Sequence, residues 1–240
     1  MSNEHVFPKW LSKAGLSVVD EYVMNRMGKV TRSKIMQLKT RRVCEDCNTG
    51  WMCRIENSTI PIMTPLLEGT VNRITEIDRW IISRWFMKTI LTAQLALTAR
   101  DRTGPLHPTD YETFFAFAQP FHNQFTLIAG YTGKVLPITF AIYSPNEATN
   151  QGVRALLHFH RVILMTFLMR MDGGLAVMQL PGGNFIDAVH MLWPTQRELG
   201  PFNTGDPTMA LPWPPPVLVN EPTVETLLEV LQHPSKPGTV

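Results

Sequence analysis

The chain opens Met1-Ser2-Asn3-Glu4-His5-Val6-Phe7-Pro8-Lys9-Trp10-Leu11, and the reading of the whole turns on how this stretch pairs with a second one. The second is Arg42-Val43-Cys44-Glu45-Asp46-Cys47-Asn48-Thr49-Gly50-Trp51, followed by Glu56-Asn57. An acidic residue and a histidine enter a proline turn. A Cys-x-x-Cys-Asn knuckle follows about forty residues later. Taken alone, Glu4-His5 can be an ordinary solvated pair. Cys44 and Cys47 can be buried cysteines without metal, or a redox pair, although the strand-helix setting of a thioredoxin motif is missing. The chain has three cysteines, an odd number that argues against a disulfide framework.

Together the two stretches resemble the HNH endonucleases. In that family a short strand and loop carry the histidine, and a knuckle opens the next helix. The resemblance puts Glu4-His5 on the acidic-His pair and Asn48 on the final His or Asn. It implies His5 as the base that activates water, with Asn48 as the second catalytic residue. It implies Glu4 and Asn48 as oxygen ligands of a divalent cation, Mg²⁺ or Mn²⁺. Cys44 and Cys47 are the matching half of the family's structural zinc site. The other Cys-x-x-Cys pair normally precedes the acidic-His pair, and only three residues stand before Glu4. Structural zinc takes four ligands. Cys53, His5 or a residue of a second chain are the inexpensive candidates for the rest, so a fully ligated zinc is not expected in a monomer, and a homodimer sharing the metal is the alternative.

Seven basic residues and no acidic one lie between Arg26 and Arg42: Arg26, Lys29, Arg32, Lys34, Lys39, Arg41 and Arg42. They fall between the halves of the expected site, where a phosphate backbone would run. The bland alternative is a solvated charged face.

The chain has 240 residues, 44% hydrophobic and 18% charged, with a net charge of +2. That supplies a true core and excludes a disordered polyelectrolyte. No signal peptide is legible, and the most apolar run, residues 80–98, is interrupted by Arg84 and Lys88. A soluble cytoplasmic protein without a membrane segment is the expectation.

Beyond residue 59 the reading is coarser. Ile60-Pro61-Ile62-Met63-Thr64-Pro65 reads as an extended connector. Thr75-Glu76-Ile77-Asp78 reads as a capping box opening a central helix over about 75–100. Arg84 and Lys88, four apart on it, are expected on a solvated face rather than against nucleic acid. Residues 108–118 read as a shorter helix, and residues 124–130 and 134–143 as strands joined by a turn at Tyr131-Thr132-Gly133. Residues 156–170 fit either a strand pair or a buried helix. His158 and His160 would share one strand face, as metal ligands or, more simply, as hydrogen-bonded or solvated histidines. Residues 175–180 read as a further strand.

Nine prolines follow from Pro201 onward, and residues 211–216 must be extended, packed through Leu211 and Trp213. Residues 221–232 read as a terminal amphipathic helix. The expected organisation is α+β. It has an HNH-like module over 1–59, a core domain over 60–200, and a proline-rich segment with a short helix over 201–240.

The resemblance also reaches Trp85-Phe86-Met87-Lys88-Thr89 and the Trp-Pro pairs at 193–194 and 213–214, and points to a phage or actinobacterial group tied to mobile elements or defence. It implies a metal-dependent nuclease with DNA, rather than RNA, as the expected partner. The rival is a decayed nuclease fold that binds a host protein or nucleic acid without cutting. A redox protein using Cys44 and Cys47 is a third reading.

Overall fold

The protein is α+β. The computed structural model describes residues 2–13, 21–26, 29–34, 38–97, 106, 108–117, 124–132, 139–143, 153–168, 189–193, 210–215, 217–220 and 222. The readings for 175–180 and for 221–232, Pro222 apart, lie outside these residues.

Strand β1 (Ser2–His5) pairs antiparallel with β4 (Lys39–Val43), with Glu4 opposite Thr40 and His5 opposite Lys39. A short helix, α1 (Trp10–Lys13), follows β1, and the hairpin β2 (Glu21–Arg26) and β3 (Lys29–Lys34) comes before β4. After β4 the chain turns directly into a helical run. It consists of α2 (Glu45–Cys47), a π-helical turn (Asn48–Met52) and α3 (Cys53–Glu68).

The run corrects the expected connector at 60–65. Pro61 and Pro65 both lie inside α3. Each removes one amide donor from the helix. The face formed by Ile55, Thr59, Met63, Leu66 and Leu67 is buried, while Pro61 is exposed. Burial of that apolar stripe outweighs the two missing hydrogen bonds, which local propensity cannot reveal. Gly69 ends α3 at φ +70°, with its amide donating to Leu66 and Pro65 carbonyls. A Cβ there would stand 2.9 Å from Arg161 Nη1 and would hold a left-handed conformation. Gly69→Ala is expected to lower stability by about 1–2 kcal/mol, measured by urea unfolding, with an unchanged midpoint counting against the cap.

Strand β5 (Arg73–Ile74) leads into α4 (Glu76–Leu97). Its start is the capping box: the Thr75 amide donates to Asp78 Oδ2 at 2.8 Å, and the Asp78 amide donates back to Thr75 Oγ1 at 3.3 Å. Ile82, Trp85, Phe86, Met87, Ile90, Leu91 and Ala93 are all buried, so α4 is apolar around most of its girth and sits at the centre of the core. Trp85 contacts Trp10 on one side and Phe159 on the other. Among the described residues, no helix is long and apolar enough to cross a membrane.

After α5 (Pro108–Phe117) come β6 (Gln124–Gly130), β7 (Thr139–Tyr143), β8 (Val153–Phe159), β9 (Val162–Leu168) and β10 (Val189–Trp193). They form one antiparallel sheet in the order β10-β6-β9-β8-β7. Strands β6 and β7 are therefore not partners, and Tyr131 makes no hairpin turn between them. Instead Tyr131 bridges in parallel to Val219. The 156–170 run resolves as the β8–β9 hairpin, turned at His160 with φ 53°.

The sheet is buried on both faces. One packs into the core with α3 and α4 through Ile128, Ala155, Leu157, Phe159, Val162 and Leu164. The other carries Leu127, Ala129, Tyr131, Leu156, Ile163 and Met165. Strand β11 (Leu211–Pro212) pairs with β5, and the buried Trp213 donates its amide to Asn72. The described part of the proline-rich segment thus packs against β5 and the end of β6.

Candidate functional site

Strand alternation separates Glu4 from His5. Glu4 points inward and is buried, while His5 stays half-exposed at the end of β1. Val6 then anchors the exit from the strand: it is buried, and its amide donates to the Leu38 carbonyl.

Glu4 meets Lys88, which reaches across from α4. Lys88 Nζ donates to Glu4 Oε1 at 3.2 Å and to Glu56 Oε1 of α3. The Lys88 side chain is fully excluded from solvent, with Glu4 and Glu56 at 11% and 21% exposure. The expectation of a solvated face at Arg84 and Lys88 is overturned. Lys88 is buried by the ion pairs, and Arg84 is half-buried with its guanidinium 4.3 Å from the Trp80 ring centre. Burial raises the Glu4 carboxyl above its ordinary range in spite of the Lys88 charge.

His5 keeps different company. Partial burial, then the nearby cations Lys39 and Lys9, hold its imidazole below the ordinary histidine value, and Glu56 opposes them. The ring is therefore neutral at pH 7, with a lone pair able to take a proton.

Asn48 lies where α2 gives way to the π-helical turn. Cys44 caps that start: the Cys47 amide donates to Cys44 Sγ at 2.9 Å, and the Asn48 amide to the Cys44 carbonyl at 3.0 Å. Gly50 departs from helical geometry at φ −90°, ψ −108°, which places a bend between Asn48 and α3. Cys44 and Cys47 are joined as a disulfide with Cα atoms 5.1 Å apart. They are not the buried thiols of the bland reading, since Cys44 is exposed. Cys53 is free and exposed, and accepts from Asn57 Nδ2 at 3.4 Å.

The basic stretch divides. Arg26, Lys29, Arg32 and Lys34 occupy β2 and β3, with Arg26 opposite Lys29. Lys39, Arg41 and Arg42 lie on β4 and are exposed. Two consecutive arginines facing solvent break strand alternation, and the cause is a register shift. Ser2 pairs with Val43 and Glu4 with Thr40, so β4 carries one extra residue at Arg41-Arg42. The three cations line a cavity of about 540 Å³ with Asn3, Thr40, Leu95 and Ala96.

The metal sites fare differently. A disulfide sulfur is no thiolate, so Cys44 and Cys47 do not fit zinc in this state. Glu4 spends its carboxylate on Lys88. Among the described residues, no three His, Cys, Asp or Glu side chains converge closely enough to hold a metal ion. The histidines are not a metal pair either: His158 is buried on β8 against the Tyr131 ring, and His160 sits in the turn.

The arrangement brings together Glu4, Glu56 and Lys88, and sets His5 beside Lys39. Glu56 and Lys88 were not among the expected site residues. Their signal was faint: one glutamate after the knuckle and one lysine in a largely apolar helix. The chain matches no family model, no curated protein and no solved structure.

Proposed function

We propose that the protein is a nucleic-acid hydrolase of HNH type, with His5 as the base that deprotonates water. The observation that carries this reading is the placement of a neutral, half-exposed imidazole beside a cationic strand. That strand is followed directly by the helical run bearing Asn48. Lys39, Arg41 and Arg42 would hold the phosphate backbone, because the shift in β4 turns both arginines outward. DNA is the proposed substrate.

The divalent cation such chemistry commonly uses does not fit the residues as placed, so no step is assigned to it. What this chain supplies is the base at His5, a polar amide at Asn48 and three exposed cations. A second reading rests on the cluster of Glu4, Glu56 and Lys88. With Glu4 committed to Lys88, the protein would bind nucleic acid or a host protein on this face without cutting it.

Nicking of supercoiled plasmid separates the two. His5→Ala is expected to lower the rate by about 10²–10⁴-fold, the usual contribution of a positioned base, while unfolding remains cooperative. The wild-type rate should hold as pH drops to the ordinary histidine value and decline only below it, because the His5 proton affinity is depressed. Nicking that survives His5→Ala, or that is absent from the wild type with and without Mg²⁺ or Mn²⁺, rejects the hydrolase. Salt-dependent DNA binding in the latter case would support the binding protein.

The basic face has its own expected result. Charge reversal of Lys39 and Arg41 to Glu should weaken duplex binding across all sequences alike. It should also flatten the dependence of log K on log salt by about 0.9 for each lost phosphate contact. An unchanged salt slope removes β4 from the interface.

A further inference from the structure

Glu4 and Glu56 approach from two different elements, β1 and α3, and their carboxylates converge on one point. Proteins that hold a hard divalent ion often use such a pair. Here the point is filled by Lys88 Nζ, which donates to both carboxylates. The ammonium is carried by α4, and its side chain has no exposed surface.

The charges explain what this does. Two carboxylates and one ammonium leave a single negative charge. A divalent ion entering between them would lie within a few ångströms of a trapped cation, in surroundings that screen poorly. It would also find each carboxylate already accepting a hydrogen bond.

We propose that Lys88 is the resident cation of the Glu4–Glu56 pair and that its ammonium keeps divalent metal ions out of the space between them. The carboxylate pair is thus a metal site in outline, closed by a side chain of its own protein. This holds whether or not the protein cleaves nucleic acid.

Mn²⁺ binding to the full chain at pH 7, followed by the paramagnetic signal of the free ion, tests the proposal. In the wild type, Glu4→Gln should leave Mn²⁺ binding unchanged. Lys88→Met keeps much of the length and removes the charge. It should gain one Mn²⁺ site, at least about tenfold tighter than any wild-type site, and should lose it again on adding Glu4→Gln. A wild-type Mn²⁺ site weakened by Glu4→Gln would overturn the proposal, since Lys88 would then be giving way to metal. A folded Lys88→Met protein that gains no site would overturn it as well. If Lys88→Met does not fold in metal-free buffer, recovery by Mn²⁺ but not by Na⁺ at equal ionic strength supports the proposal, and failure to recover rejects it. No arm reads cleavage, so the fate of the hydrolase reading is decided separately.

Discussion

Lys88→Met is expected to destabilise the protein by about 3–5 kcal/mol at pH 7, because it leaves buried carboxylate without its partner. The pair need not be a large net source of stability for this to hold. Drawing charges out of water is costly, and what Lys88 supplies is compensation for Glu4, which is buried, and for Glu56, which is partly so. The loss should shrink on acidification. Burial already raises the Glu4 carboxyl in the presence of Lys88, so without Lys88 its folded-state pKa stands still further above that of the unfolded chain. Folding of the variant then takes up a proton, and the penalty is relieved as pH falls toward the carboxylate range. Urea unfolding at pH 7 and at pH 5 reads both effects. A loss under about 1 kcal/mol at pH 7, within the range of ordinary surface changes, would show that the triad is solvated. A loss that grows at pH 5 would give the linkage the wrong sign.

The second large effect is acid destabilisation through His158. This imidazole is fully buried on β8, its ring centre 4.5 Å from that of Tyr131. Burial depresses it from 6.5 to about 4; a backbone hydrogen bond with His160 opposes the depression, and the neighbouring His160 charge adds to it. Between those two values the unfolded chain holds a proton that the folded chain does not. Stability is therefore whole above pH 6.5 and falls as pH falls through the window, by up to about 3 kcal/mol at its lower end. His5, His160 and His190 are depressed in the same direction, so the protein as a whole should lose stability in weak acid. His158→Leu should make the largest single change in that slope. A variant whose stability falls between pH 7 and pH 4 as steeply as the wild type's would mean that His158 is already protonated in the fold.

What the sequence made legible was local. The capping box at Thr75 is spelled by four adjacent residues, and both of its reciprocal hydrogen bonds form within that span. The strand-versus-helix ambiguity over 156–170 has a physical origin. The sheet is covered on both faces, so β8 and β9 lack the apolar–polar alternation that marks a half-exposed strand. Pro61 and Pro65 spoke for a connector because helix cost is a local quantity, whereas the burial of Ile55, Met63 and Leu67 is not. Lys88 is the plainest case. A lysine on a helix defaults to solvent, and its partner Glu4 lies 84 positions away. Glu4 and His5 were marked by residue type and spacing. The split between them, one locked inside and one at the surface, came from the strand's alternation against a partner beyond the view of a linear reading. The odd cysteine count spoke against disulfides, yet it does not forbid a single bond across one turn, and Cys44 and Cys47 form one.

The strap at the far end of the chain bears on the order in which the molecule is completed. Leu211 and Pro212 close over β5, Trp213 is held by the Asn72 carbonyl, and Val219 reaches Tyr131. During synthesis α3 and α4 emerge long before these residues exist. Ile74, buried in the finished protein, must wait for its cover until most of the chain has left the ribosome. Closing so long a loop is entropically slow, and apolar surface stays open meanwhile. Until residues 211–213 arrive, the junction of α3 and α4 stands without its β11 partner.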